Sequence, residues 1–213
     1  MKKINALSAL FCLTIGGLYL NSASASLITQ VNSVSGLGSQ ANFKIENFED
    51  DQLSSGIKFS SSTGTYRAPA DIFSSSNTPS GKYGLTTNSY PDPISMTFTN
   101  PITALGLFFG NDDSCCTNNF TAYLDIFTDS GEIETISTDA NMNDWTDQFI
   151  GFVSETLITK VVFRYGFDGN EPLHIFLDDV RFNTSVENIS LPGTLSLTLL
   201  AGLGLLSYGR KIT

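Results

Sequence analysis

Hydrophobic and polar residues alternate with a period of two along most of the chain. Ile94-Ser95-Met96-Thr97-Phe98-Thr99 puts apolar side chains on one face and polar ones on the other, which predicts a half-buried strand. Residues 104–109 form a short continuous apolar run instead, the pattern of a strand covered on both faces. Phe120, Ala122, Leu124 and Ile126 alternate with Thr121, Tyr123 and Asp125, and Asp129-Ser130-Gly131 then turns the chain into residues 132–138, predicting a hairpin. Segments 149–153, 157–165 and 174–182 read as three further strands. Over residues 45–90 the pattern thins and Ser, Thr and Gly abound, so short strands and long loops are expected there. No part of residues 26–187 carries the 3.6-residue period of an amphipathic helix. Many short strands between polar turns predict an all-β domain, an antiparallel two-sheet β-sandwich.

Both ends of the chain break this pattern. Lys2 and Lys3 are followed by an apolar stretch over residues 6–20 and by Ala23-Ser24-Ala25, the three parts of a secretory signal with a cut after Ala25. Read otherwise, the segment is a permanent anchor helix; its apolar core is short for that, and a cleavage pattern follows directly. At the other end, residues 189–208 contain no charged side chain and Arg210-Lys211 follow. About 20 residues at a rise of 1.5 Å make a helix of about 30 Å, enough to cross a hydrocarbon core. The basic pair would stay on the cytoplasmic side of the inner membrane and leave everything upstream outside. The chain thus divides into a signal peptide (1–25), a β-sandwich domain (26–187) and a tail (188–213).

The tail resembles a PEP-CTERM sorting signal, in which a short proline motif precedes an apolar helix and a terminal basic cluster. Pro192, Gly193, Thr194 and Leu195 match the family's Pro-Gly/Ser-Thr-Leu run, whereas Ser190 and Leu191 stand where the family commonly has Pro and Glu. The resemblance implies a Gram-negative envelope, processing by an exosortase as well as by signal peptidase, and a link to exopolysaccharide and biofilm. Leu191-Pro192-Gly193-Thr194 also approaches a sortase signal, but Leu195 occupies the place of the required Gly. The domain resembles jelly-roll sandwiches of the galactose-binding-like kind. The resemblance rests on Asn47-Phe48-Glu49-Asp50, residues 98–106, Phe149-Ile150-Gly151-Phe152 and residues 177–182.

Charge narrows the function further. All 21 acidic residues lie between Glu46 and Glu187, with seven of the 11 basic ones, so the domain carries −14. That excludes nucleic acid, whose phosphates demand Lys and Arg. It suits solubility, or divalent cations as counter-charges. Only Cys115 and Cys116 remain after signal removal, and export places them in an oxidising compartment. A strained vicinal disulfide, intermolecular bonds and free thiols are all open to an adjacent pair.

Asp178 shares a strand face with Phe176, Val180 and Phe182, so its carboxylate needs donors or a cation. One solution is calcium held by Asp178, Asp179 and Glu49 or Asp50, provided the first and last strands pair; the resemblance implies such a site between chain start and chain end. The other is a set of backbone amides at a bulge. Sugar binding would need aromatic platforms, for which Trp145, Tyr66, Tyr83 and Tyr90 lie in loop-like segments. Catalysis has little to draw on: His174 is the only histidine, no nucleophile, phosphate-loop or zinc motif occurs, and no carboxylate pair stands out. The expectation is a non-enzymatic envelope or matrix protein, with a carbohydrate-binding module recognising a surface polysaccharide as the alternative.

Overall fold

In the computed structural model, which describes residues 27–69, 78–112, 120–141, 143, 145–166, 169 and 172–183, the alternating pattern becomes strands that pair antiparallel throughout. They are β1 (Ile28–Val31), β2 (Phe43–Glu46), β3 (Ile57–Ser60), β4 (Thr65–Pro69), β5 (Tyr83–Thr87), β6 (Ile94–Gly110), β7 (Phe120–Thr128), β8 (Gly131–Ala140), β9 (Gln148–Tyr165) and β10 (Phe176–Asn183), with two 3₁₀ turns at Val34–Leu37 and Gln40–Asn42. Among the described residues no helix is long and apolar enough to cross a membrane. Ala25, the Cys115–Cys116 pair and the Pro192–Leu195 motif lie outside the described residues.

Two long strands organise the rest. β6 and β9, 17 and 18 residues long, pair toward both of their ends, and their register slips between Thr97 and Ile102 and again before Ala104. Pro101 lies at the slip and has no N–H to give the ladder. Opposite it, β9 turns a polar corner in which the Thr156 N–H donates to the Ser154 hydroxyl at 3.0 Å. The sequence pattern predicts two strands on each of these segments; the structure joins them, because proline and the corner bend the strands without ending them. The last strand, expected from His174, begins at Phe176: the His174 N–H donates to the Asp112 carboxylate at 2.9 Å and takes no part in the ladder.

The slip divides the sheet into two layers. In the first, β3, the opening half of β6, the closing half of β9, β7 and β8 lie side by side. In the second, β4, β5, β10, the closing half of β6, the opening half of β9 and β1 do so, with β2 on the end of β10. Phe109 of the second layer meets Phe163 of the first at 5.2 Å between ring centroids, and Phe98 meets Phe182 at 5.7 Å. The Tyr165 hydroxyl donates to the Gly110 carbonyl at 2.8 Å inside this core, where burial pushes its ionisation well above the ordinary tyrosine range. The two layers therefore form a sandwich around alternating Leu, Ile, Val and Phe.

Gly110 allows the connection before β9 to close on β6. A Cβ there would lie 2.4 Å from the Trp145 carbonyl oxygen and 2.9 Å from the Thr146 Cα, both backbone atoms that cannot swing aside. Gly110→Ala is therefore expected to cost about 2 kcal/mol and lower Tm by about 4–8 °C. Thermal melting checks this, and an unchanged Tm would contradict the close approach.

Candidate functional site

The segment after β2 is held by groups that its own sequence supplies. The buried Glu46 carboxylate accepts the Phe48 N–H at 2.8 Å and the Ser54 N–H, folding residues 47–53 into a loop. Phe48 takes a left-handed backbone, φ 55°, which a bulky residue adopts only where its surroundings impose it. Its side chain, 1% exposed, is fixed against Phe59 at 5.4 Å. Arg67 of β4 clips the loop from the other side, donating to the carbonyls of Phe48 and Glu49 and to the Asp51 carboxylate at 3.2 Å. The guanidinium lies 3.4 Å from the centre of the Tyr83 ring, and the Glu49 carboxylate accepts the Lys82 and Tyr83 N–H groups at 2.7 Å each.

Between this loop and β4 opens a groove of about 220 Å³, walled by Asp50, Asp51 and Leu53 on one side and by Thr65, Tyr66 and Arg67 on the other, with Phe48 and Leu85 at its floor. Tyr66 is 37% and Leu53 49% exposed at its rim. A groove lined by an exposed tyrosine, two carboxylates and a positioned guanidinium suits a ligand with both apolar faces and hydroxyls: a ring can pack on C–H groups, and charged groups bond the hydroxyls.

The carboxylates offered to calcium meet a different fate. β2 does pair with β10, as that expectation requires, and Glu49, Asp178 and Asp179 converge on residues 80–83. Each has partners already. Asp178, fully buried, accepts the Asp179 N–H at 2.6 Å and the Ser80 N–H at 3.2 Å, while Asp179 accepts the Ser80 hydroxyl at 2.8 Å and pairs with Arg181 at 2.8 Å. This is the bulge solution: the register of β10 against β6 breaks after Asp178, and Asp179 stands at φ 47°. Burial pushes the Asp178 carboxyl up to about 7; the amides of Asp179 and Ser80 oppose this, and the neighbouring Asp179 and Glu49 charges add to it. Asp50 is elsewhere, accepting the Gln52 N–H at 2.8 Å and facing the groove. Among the described residues no three His, Cys, Asp or Glu side chains are arranged to hold a metal ion. The set as placed does not fit calcium.

Of the aromatic candidates, Tyr83 packs on the Arg67 guanidinium, and Tyr66, next to Arg67 along β4, lines the groove. Trp145, 45% exposed, stands in the connection between β8 and β9, outside the residues that line the groove. Tyr90, 52% exposed, packs edge-on against His174 at 4.7 Å. Sequence reasoning misses Asp51, Leu53 and Arg67. The one signal available for them is a lone arginine in a Ser/Thr/Gly-rich segment that follows an Asp pair by 16 positions, which points to pairing but not to a groove.

No family model matches the chain, and no curated protein matches it. Solved structures similar to it include TmCBM61 in complex with β-1,4-galactotriose, at 14% identity and a TM-score of 0.36, covering 65% of this chain and 94% of that one. A variant of a family 29 carbohydrate-binding module complexed with mannohexaose is similar at 12% identity and 0.38, covering 67% and 92%. Another family 29 module stands at 13% and 0.38, covering 70% and 96%. At this distance neither ligand nor site carries over.

Proposed function

We propose that this chain is an exported, non-enzymatic carbohydrate-binding protein of jelly-roll type that recognises a surface polysaccharide through the groove between residues 47–53 and β4. The observation that carries the reading is an open concavity lined by the exposed Tyr66 together with Asp50, Asp51 and Arg67. Signal peptidase would release residues 26–213, and the PEP-CTERM-like tail would hold the sandwich at the inner membrane until an exosortase acts near Pro192. The role that fits this delivery is retention of exopolysaccharide in an envelope or biofilm matrix.

The test is binding to a glycan array by the chain recovered from its own cells, repeated with Tyr66→Ala. Removing the ring is expected to weaken the best glycan by roughly tenfold, about 1.4 kcal/mol, as for an aromatic that packs on the ligand. Trp145→Ala should leave it unchanged. If Trp145→Ala abolishes binding and Tyr66→Ala does not, the site is at the other connection; if no glycan binds, the protein is a passive matrix component.

A further inference from the structure

We propose that the corner of β9, with Leu27 bonded to it, is a lipid-contacting surface that seats the sandwich on the membrane its tail enters. The inference rests on the reading of residues 188–213 as a membrane-inserting tail.

The corner stands out from the sheet because β9 has residues to spare there. Val153 pairs with Ala104 and Ile158 with Ile102, so β9 uses residues 154–157 where β6 uses Thr103 alone. A surplus of this kind cannot lie flat in a ladder and bulges from it. The Ser154 hydroxyl donates to the Thr156 carbonyl at 2.8 Å and accepts the Thr156 N–H, which closes the corner on itself. Its hydrogen bonds are polar, but it ends in Leu157, nearly half exposed although the next residue, Ile158, is fully buried. Leu27 joins it from the neighbouring strand. Its carbonyl accepts the Glu155 N–H at 2.9 Å, and its side chain is as exposed as that of Leu157. Two leucines that the core does not use are therefore held to one short segment.

The chain leaves the fold beside this corner. Asn183 is the last residue of β10, and its side-chain oxygen accepts the Thr103 and Ala104 N–H groups at 2.9 and 3.1 Å. These are the β6 residues that the corner faces, so exit and corner lie two interstrand spacings, about 10 Å, apart. Residues 184–188 then connect Asn183 to the uncharged stretch 189–208. At about 3.5 Å a residue this link reaches about 20 Å at most. Once the stretch enters a bilayer, the leucines are confined next to its surface at high local concentration, and a weak apolar contact suffices. Charge does not drive the contact. Lys44, Lys58 and Lys160 lie toward this end of the sandwich, but so do Asp129, Glu132, Glu134 and Glu155. The attraction left is burial of apolar surface, for which an uncharged phospholipid serves.

The experiment places the full chain in phosphatidylcholine vesicles, carrying Trp145→Phe and Leu157→Trp so that its one tryptophan reports on the corner. Flotation with the vesicles reads insertion of the tail; quenching by brominated phosphatidylcholine reads the contact. The chain should float, and its emission should shift to the blue and fall by about half, as for a side chain at the headgroup–acyl boundary. Adding Leu27→Gln should remove most of that loss without changing flotation. A chain that floats with its emission unquenched would overturn the contact and leave the tail reading standing. Quenching that Leu27→Gln does not relieve would show that the link alone holds the corner there, and would overturn the surface. A chain that does not float would overturn the tail reading, and the contact with it.

Discussion

Asp92→Ala will lower the stability of the fold by about 3 kcal/mol at neutral pH. The side chain is 3% exposed and sits in the connection from β5 to β6, just after the Tyr90–Pro91 peptide. One oxygen accepts the Ser62 N–H and hydroxyl at 2.9 Å each, and the other accepts the Thr63 N–H at 2.8 Å and the Thr63 hydroxyl. One carboxylate thus staples the β3–β4 turn to a segment 29 or 30 residues later. Bonds to a charged acceptor contribute about 1.5–3 kcal/mol each; the exposed Ser62 and Thr63 would regain some from water, so the loss falls well short of their sum. Burial pushes this carboxyl upward, but the bonds from Thr63 and Ser62 outweigh it and hold it at about 2. A depressed carboxylate contributes stability above its unfolded value near 3.8 that is lost as pH falls through about 2. Urea unfolding should therefore show a wide gap between the native protein and Asp92→Ala at pH 7 that narrows near pH 2. A gap below about 1 kcal/mol at pH 7 would mean that the staple is replaceable by solvent.

The second large effect has the opposite sign. Asp178 is raised from 3.8 to about 7, so between these values the unfolded chain ionises while the folded one still holds its proton. Its contribution is complete below pH 3.8 and declines as pH rises through about 7, by an amount of order 4 kcal/mol. Asp178→Asn carries no such proton. It also sets an NH₂ against one of the two amides that the carboxylate accepts, so it starts from a lower stability. The measurement is the difference in unfolding free energy between the two proteins at intervals from pH 4 to 8. The native protein's advantage should shrink steadily across that range, and a constant difference would show that Asp178 ionises normally. Together the two carboxyls place their joint optimum near pH 4, where Asp92 is still largely charged and Asp178 is still neutral.

Much of this arrangement is legible in the order of residues along the chain. The hairpin of β7 and β8 and the two-sided burial of residues 104–109 follow from alternation and turn chemistry alone, because both are local. The unity of β6 and of β9 does not. Pro101 reads as a terminator, and only a partner strand that bends at the same level turns it into a bend. The fate of Asp178 is half legible: its apolar neighbours state the problem, but the choice between cation and amides depends on Ser80, nearly a hundred positions away. The groove is the least legible, since it depends on a left-handed Phe48 and on Arg67 reaching the carbonyls of a loop 18 residues earlier. No periodicity encodes that contact.

The pairing of the terminal strands also fixes which way the molecule faces. Ile28 at the start of β1 stands beside Ser154, and Phe182 near the end of β10 beside Leu105, whose own neighbour is Phe152. The start of β1 and the end of β10 therefore lie at one pole of the second layer, three strand spacings or about 14 Å apart. The far pole holds Gly110 with Trp145 closed over it, Asp112 with His174, and Tyr90 against that histidine. A tether attached beyond Asn183 would hang the sandwich from the first pole and turn Trp145 and Tyr90 toward whatever lies farthest from the anchor.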